Sequence, residues 1–253
     1  MHRSNSAARY TPHMKPVAFI ITALACATAR ADVKLPAIFG SNMVFQQQTE
    51  APVWGWAAPG EEITISASWA DSPVSIHADQ AGKWKTRIKT PAAGVGPYVV
   101  TIKAGNTITL DNVAVGEVWV CSGQSNMEMP VGDFGGGYRG VTDWEEEVKA
   151  ADYPGIRLFT VTNAISPTPK EDCQGTWTTC MPPTAKAFSA TGYFFGRELH
   201  RVLNIPIGLI SADWGGTVCE SWTSEEGLKN FPEFTPDLDF MHSSAASNTD
   251  VKR

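Results

Sequence analysis

The sequence predicts an α/β protein in which a small all-β sandwich module precedes a parallel sheet with helices. In residues 33–112, short β-branched and aromatic runs alternate with Gly and Pro turns, and no helical period is visible. After residue 112, apolar strands alternate with a helix, which is the order typical of a parallel sheet. We therefore expect a module over 33–112 and an α/β domain over 113–253, behind a separate leader at 1–31.

The leader, residues 1–31, has the pattern of a secretory signal peptide. Lys15 precedes an apolar run over 17–27, and Ala29-Arg30-Ala31 fits a cleavage site. The run is too short to cross a bilayer, and a buried strand is the alternative interpretation. We expect the protein to be secreted or periplasmic after cleavage.

Charge and composition narrow the classes of partner. The chain has 20 Lys and Arg against 26 Asp and Glu, a net charge of −6, which argues against nucleic acid and against an anionic membrane. With 43% hydrophobic residues and nine Trp, we expect a packed core rather than disorder. Exposed Trp side chains of the β module could stack on sugars, although burial in the core is the simpler interpretation.

The elements of both parts follow from local pattern. Within the module, alternation at 84–88 places Trp, Thr and Ile on one face, and turn signals separate this run from its neighbours. The predicted strands of the module are 53–56, 63–67, 84–88 and 98–102. The α/β part has predicted strands at 113–121, 156–161 and 207–210, and a helix at 188–204 with Ser189 as N-cap. Phe195, Leu199 and Val202 form the apolar stripe of that helix.

Four cysteines follow the leader. Cys173 and Cys180 would close a small loop, and export favours a disulfide between them. Cys121 and Cys219 could pair with each other or remain buried as small apolar residues. We expect no metal site, because no Cys-x-x-Cys pair or His cluster is present.

Ser125 is the candidate nucleophile. The strand 113–121 runs into the small and polar residues 122–127, and open α/β sheets place their sites at such carboxyl ends. A Ser at this turn presents its hydroxyl to solvent beside backbone N–H groups that can stabilise an oxyanion. The alternative is that Ser125 and Asn126 only cap a helix.

A second turn has the same design. The strand at 207–211 ends in residues 212–217, where Gly215 and Gly216 permit close backbone approach and an exposed N–H. If the two strands are neighbours, these amides face the Ser125 turn and complete an oxyanion hole. The alternative is an ordinary tight turn.

Four segments together resemble one enzyme family. They are residues 118–127, residues 214–217 with 220–222, residues 35–46, and residues 188–199. In the order in which they follow one another along the chain, they are similar to segments of the sialate O-acetylesterases, which belong to the SGNH (GDSL-like) hydrolases and resemble acetylxylan esterases. The resemblance extends from Leu35 to Trp222.

This resemblance implies an SGNH-hydrolase-like sheet and a serine esterase that removes O-acetyl groups from sialic acid or related sugars without a cofactor. Ser125 would attack the acetyl carbonyl, the N–H groups of Ser125 and of Gly215 or Gly216 would bind the oxyanion, and a His held by an Asp would be the base. Another acetylated polysaccharide such as xylan is an alternative substrate. A non-catalytic carbohydrate-binding protein is the alternative function.

The catalytic base has no clear counterpart in the sequence. The family's Gln-Gly-Glu turn is absent, and its late Asp-x-x-His block is matched only by Asp239 and His242, in irregular polar surroundings. We therefore expect the chain to be the front portion of a longer esterase, with little activity by itself. A thiol nucleophile at Cys121 is a further alternative, although no partner His is evident.

Overall fold

The structure, a computed structural model, describes residues 32–135, 137–166 and 168–246, so the predicted signal peptide lies outside the described residues. The strands of this part are β1 (Val44–Gln46), β2 (Glu50–Trp56), β3 (Glu62–Ala67), β4 (Val74–His77), β5 (Lys83–Lys89), β6 (Gly94–Lys103), β7 (Thr107–Gly123), β8 (Tyr153–Thr160), β9 (Trp177–Cys180) and β10 (Ile207–Asp213). The α-helices are α1 (Ser125–Glu128), α2 (Trp144–Ala150), α3 (Pro182–Lys186), α4 (Ala190–Leu203), α5 (Glu225–Leu228) and α6 (Thr235–Ala246).

The strands form two sheets. The larger one has the order β4-β3-β6-β7-β10-β8-β9, with β1 also paired to β7, and β2 pairs with β5 in a separate sheet. Strands β8, β10 and the end of β7 are parallel, while β9 is antiparallel to β8. The predicted α/β fold class is confirmed, and each strand predicted from sequence overlaps one that the structure contains.

Strand β7 links the two parts of the molecule. Its first half pairs with β6, and its last seven residues, 117–123, pair in parallel with β10. The predicted division between residues 112 and 113 falls inside this strand. The domain boundaries remain a prediction, because the sheet is continuous at that point.

Two buried clusters lie along this sheet. The first fills the module and includes Ile63, Ile65 and Trp84. The second packs α4 against the parallel strands and centres on Tyr193 and Leu209. The first cluster includes Val113 and Val115 of β7 and the second includes Cys121, while Trp119 and Val120 near the end of the strand remain 44% and 66% exposed.

The segment 42–46, which contains β1, anchors the module to the parallel strands. The Gln46 side chain accepts the N–H of Val118 at 2.9 Å and donates to Glu117 at 3.1 Å. The buried guanidinium of Arg157 donates to the Asn42 carboxamide oxygen at 3.3 Å and to the Asn112 carboxamide oxygen at 3.4 Å. Through these polar contacts the segment 42–46 helps to hold β7, the strand that ends at the Ser125 turn, although the two are far apart in sequence.

Helix α4 is close to its predicted bounds, but it buries a different face. The hydroxyl of Ser189 accepts the N–H of Gly192 at 3.1 Å, so the predicted N-cap is confirmed. Of the predicted apolar stripe, Leu199 packs against the second buried cluster, whereas Phe195 is 40% and Val202 62% exposed, so the prediction is wrong at those two residues. The buried face instead includes Tyr193 and Gly196.

The reason is a close approach at Gly196. A Cβ atom at this position would lie 2.5 Å from Leu209 Cδ1, so only glycine lets α4 pack this tightly on β10. Apolar periodicity cannot indicate a contact that is made through the absence of a side chain.

The predicted Cys173–Cys180 disulfide is not formed. All four described cysteines, Cys121, Cys173, Cys180 and Cys219, are free thiols. Cys180 lies at the end of β9 in the second buried cluster, whereas Cys173 packs against the first. The two side chains therefore belong to different cores despite their short separation in sequence.

Candidate active site

Ser125 lies at the point where β7 turns into α1. Strand β7 ends at Gly123, Gln124 is the N-cap, and Ser125 is the first helical residue. The Ser125 hydroxyl donates to the Gln124 carboxamide oxygen at 3.1 Å, and the Ser125 N–H lies 3.3 Å from the same atom. The hydroxyl is thus presented at the carboxyl end of a parallel strand, where α/β sheets place their sites.

The Gly215–Gly216 turn follows the neighbouring strand. In the parallel pairing of β10 with β7, Asp213 is opposite Gly123, and the N–H of Trp214 donates to the Gly123 carbonyl at 3.0 Å. A Cβ atom at Gly215 would lie 3.2 Å from the Ser125 hydroxyl oxygen. The two turns that the sequence singled out are therefore in contact.

A carboxylate that the sequence reasoning missed lies between these turns. One carboxylate oxygen of Glu128 accepts the N–H of Gly215 at 2.8 Å and the hydroxyl of Tyr138 at 2.9 Å. Glu128 is three residues after Ser125 on α1, and helical spacing puts such residues on one side of a helix. That spacing is the signal that could have identified it.

Tyr138 completes this polar group. Its hydrogen bond to Glu128 raises the pKa of the phenol, because a phenolate beside a carboxylate is disfavoured, and partial burial acts in the same direction. The nearby Ser125 hydroxyl lowers this pKa and so acts in the opposite direction. At neutral pH Tyr138 is therefore a protonated donor beside the Ser125 hydroxyl.

Asp213 is a second carboxylate near the turn. Burial raises its pKa, and the nearby charge of Glu128 adds to that effect, while the hydroxyl of Ser211 donates to it and lowers the pKa. Burial and the Asp213 charge also raise the pKa of the Cys121 thiol. A thiolate nucleophile at Cys121 is disfavoured by this environment.

The two glycines of the turn differ in what their amides bind. The N–H of Gly215 is engaged by Glu128, as described above. The N–H of Gly216 has no hydrogen-bond acceptor among the described residues, and its backbone has φ +77° with open space where a Cβ would lie. Of the predicted oxyanion donors, the N–H of Gly216 is thus the one without an acceptor in the described part of the chain, because the N–H of Ser125 donates to the Gln124 carboxamide oxygen at 3.3 Å.

The three histidines of the described ranges belong to elements other than the Ser125 turn. His242 is on α6, where its Nε2 atom lies 3.3 Å from Glu225, so its partner is not the predicted Asp239. His200 contacts the Ile205 carbonyl at 2.7 Å, and His77 belongs to β4. No histidine in the described ranges hydrogen-bonds to the Ser125 hydroxyl. The assignment of Asp239 and His242 as the base pair remains a prediction without support from this geometry.

Two further features of the described residues concern metal binding and the membrane. No group of three or more His, Cys, Asp or Glu side chains able to hold a metal ion occurs within residues 32–246 as far as they are described. No helix in the same part of the chain is long and apolar enough to cross a membrane.

Comparison with known proteins identifies the relatives of this fold. The structure superposes on a carbohydrate acetylesterase from Xanthomonas citri with a TM-score of 0.73 and 34% identity, over 78% of this chain and 44% of that one. No protein-family model matches the chain. The fold and the Ser125 turn therefore define a relative of the carbohydrate acetylesterases.

The curated relatives are more specific. The chain is 29% identical over 231 residues to the sialate O-acetylesterase of Mus musculus and 30% identical over 210 residues to that of Homo sapiens. These alignments cover 84% and 75% of this chain, but only 41% and 38% of the mouse and human proteins. The predicted resemblance is confirmed: the chain is a homologue of the sialate O-acetylesterases over most of its own length.

Proposed function

We propose that this chain is a carbohydrate O-acetylesterase of the serine hydrolase type, with Ser125 as nucleophile. The observation that supports this most directly is how near the Ser125 hydroxyl lies to the Gly215–Gly216 turn. A Cβ atom at Gly215 would be 3.2 Å from the Ser125 hydroxyl oxygen. A nucleophile needs such a neighbouring set of backbone donors. Homology to the sialate O-acetylesterases favours O-acetylated sialic acid or a related sugar as substrate.

The proposed chemistry uses the groups of the two turns. The Ser125 oxygen attacks the acetyl carbonyl while its proton passes to a general base, and the base gives this proton to the sugar oxygen when the ester C–O bond breaks, so that the sugar leaves as its alcohol. No histidine of the described ranges hydrogen-bonds to the Ser125 hydroxyl, so none of them is positioned as this base. Water then hydrolyses the acyl-enzyme and releases acetate. The N–H of Gly216 stabilises the oxyanion, and the N–H of Ser125 joins it once the substrate oxygen takes the place of the Gln124 carboxamide oxygen, whereas the N–H of Gly215 is bound to Glu128.

The experiment measures acetate released from O-acetylated sialic acid by the purified chain and by Ser125→Ala. Because no described histidine hydrogen-bonds to the Ser125 hydroxyl, we expect slow release, and we expect all of it to depend on Ser125. The matched control is Ser122→Ala, which changes an exposed Ser of the same segment and leaves the nucleophile intact. Release that survives in Ser125→Ala would refute the proposal.

The substrate class is tested in parallel. Acetylated xylan is the alternative substrate, and comparing acetate release from the two esters at equal concentration separates them. A non-catalytic carbohydrate-binding protein is the other alternative, and it requires sugar binding with no Ser125-dependent acetate release from either ester.

We also propose that the protein is exported. The support is the basic, apolar and small-residue order of residues 1–31. N-terminal sequencing of the protein recovered from the native cell envelope or medium tests this, and the expected mature start is Asp32. A mature protein that begins at Met1 or Met14 would contradict it.

A further inference from the structure

The sheet of β2 and β5 has one face toward the core and one face away from it. In an antiparallel pair, directly opposite residues lie on the same face. The inward face is buried and includes Val53 and Trp84. The outward face, here named the Trp–Lys face, consists of Pro52, Trp54 and Trp56 on β2, opposite Arg87, Lys85 and Lys83 on β5.

The two outward indoles are partly exposed. Trp54 packs edge-on against Phe39, with ring centroids 4.7 Å apart at an interplanar angle of 76°, which fixes the orientation of its ring. Trp56 forms no aromatic pair among the described residues. A fixed aromatic surface with a polar edge, half open to water, suits the apolar face of a sugar ring.

A cleft passes over these indoles. It has a volume of about 610 Å³, and Lys170 and Glu171 of the segment before β9 form part of its wall together with Trp54, Trp56 and Lys85. This volume lies within the range of about 300–1,000 Å³ that small-molecule sites have. The cleft can therefore accept one or two sugar units.

The charges of the cleft are unbalanced. Its two carboxylates are already engaged: Asp79 accepts the N–H groups of Ala81 and Lys83 at 2.8 and 2.9 Å, and Glu171 pairs with the Lys83 ammonium at 2.5 Å. Lys85 and Lys170 form no ion pair with any described residue. The cleft thus has three lysines (Lys83, Lys85 and Lys170) against two carboxylates (Asp79 and Glu171), a net charge of +1 in a protein of net charge −6, which favours an anionic ligand.

We propose that the Trp–Lys face binds an acidic carbohydrate, a saccharide whose ring stacks on Trp56, the indole not already packed on another ring, and whose carboxylate pairs with Lys85. This is a binding site without catalysis, and it goes beyond the proposed esterase function. The face lies on β2 and β5, whereas Ser125 follows β7 in the other sheet. Binding here would retain a glycan chain independently of ester cleavage.

The test is calorimetric titration of the Ser125→Ala chain, so that ester cleavage plays no part in the result. The three probes are an oligosialic acid, neutral xylohexaose and polyglutamate. We expect binding of the oligosialic acid that weakens with added salt, and at least tenfold weaker binding of the other two. If xylohexaose bound as tightly as the oligosialic acid, the lysines would have no role in recognition. If polyglutamate bound as tightly, the sugar ring would have none. Either result, or no binding of oligosialic acid, overturns the proposal.

Single-residue variants test whether the oligosialic acid binds at the Trp–Lys face. Lys85→Gln should weaken binding of the oligosialic acid by about tenfold, as expected for the loss of one charge-assisted hydrogen bond. Its matched control is Lys103→Gln, which removes an exposed lysine of β6 and should leave binding unchanged. Trp56→Ala should abolish binding and Trp56→Phe should retain part of it. Equal effects of Lys85→Gln and Lys103→Gln would place the binding elsewhere.

Discussion

The carboxylate of Glu128 accepts the backbone N–H of Gly215 at 2.8 Å and thereby joins helix α1 to the turn after β10. The same helix begins with Ser125, so one side chain sets the distance between the proposed nucleophile and the proposed oxyanion turn. Tyr138 donates to the same carboxylate oxygen and closes the group from a third segment. Glu128 is therefore a positioning residue whose loss should affect catalysis more than binding.

Replacing Glu128 separates geometry from charge. We expect Glu128→Ala to lower kcat for p-nitrophenyl acetate by about 10²-fold with little change in KM, because a displaced turn misaligns the oxyanion donors. Glu128→Gln keeps an acceptor oxygen of the same reach and should retain most of the activity. Steady-state kinetics of both variants make the measurement.

A purely structural role for Glu128 would give a different result. The control Glu145→Ala changes an exposed glutamate of α2 and should leave kcat unaltered. Hydrogen exchange supplies a readout that does not depend on activity: the Gly215 amide should exchange faster in Glu128→Ala, while the Gly216 amide exchanges rapidly in both proteins. A loss of kcat without faster Gly215 exchange would contradict the positioning role.

The thiols should differ in reactivity. Burial raises the pKa of Cys180 to about 12, so at pH 8 this residue remains a thiol in the folded protein, and only thiolates react with alkylating reagents. Cys219 is exposed and should be labelled first, whereas Cys180 should be labelled only on unfolding. Mass spectrometry after timed alkylation of the reduced protein follows both sites.

The raised pKa of Cys180 also predicts how the free energy of unfolding changes with pH. The thiol form is favoured in the folded state, so the contribution of Cys180 is fully present below the unfolded thiol pKa, about 8.5, and is lost as the pH rises toward about 12. Denaturant unfolding of the chain and of Cys180→Ala between these values tests the sign. Stability that rises with pH through Cys180, or a Cys173–Cys180 bridge found by non-reducing peptide mapping, would contradict the free-thiol description.

The packing of α4 makes a prediction about stability. Gly196→Ala places a methyl group against Leu209 and should reduce the free energy of unfolding by about 1–3 kcal/mol, the usual cost of overpacking. Val202→Ala on the same helix should change it by less than about 0.5 kcal/mol, because Val202 is exposed. Chemical denaturation of both variants measures the difference. The opposite ranking would restore the apolar stripe predicted from sequence.

The sequence predicted the elements better than it predicted their contacts. Strands β2, β7 and β10 and the N-cap Ser189 follow from local patterns of apolar residues, turns and capping, which are short-range properties. The buried face of α4 could not be predicted in this way, because it depends on the missing side chain of Gly196. The Cys173–Cys180 pairing was wrong because the strand between them places the two thiols in different cores.

The candidate site could also be predicted only where it depends on local sequence patterns. Ser125 and the Gly215–Gly216 turn stand at strand ends, and the parallel pairing of β7 with β10 brings them together. Helical spacing places Glu128 on the same side of α1 as Ser125, but its role depends on a contact with Gly215, 87 residues away in the chain, and local spacing does not predict that partner. The base could not be assigned, since Asp-x-x-His spacing at Asp239 and His242 does not determine where the helix that carries them lies.

The central claim, that Ser125 is the nucleophile, is tested most directly by covalent labelling. The purified chain is incubated with a fluorophosphonate, and the modified residue is located by peptide mass spectrometry. We predict a single adduct on Ser125 that is absent in Ser125→Ala and present in Ser122→Ala. An adduct on another residue that persists in Ser125→Ala, or acetate release by a chain whose Ser125 is never labelled, would contradict the account.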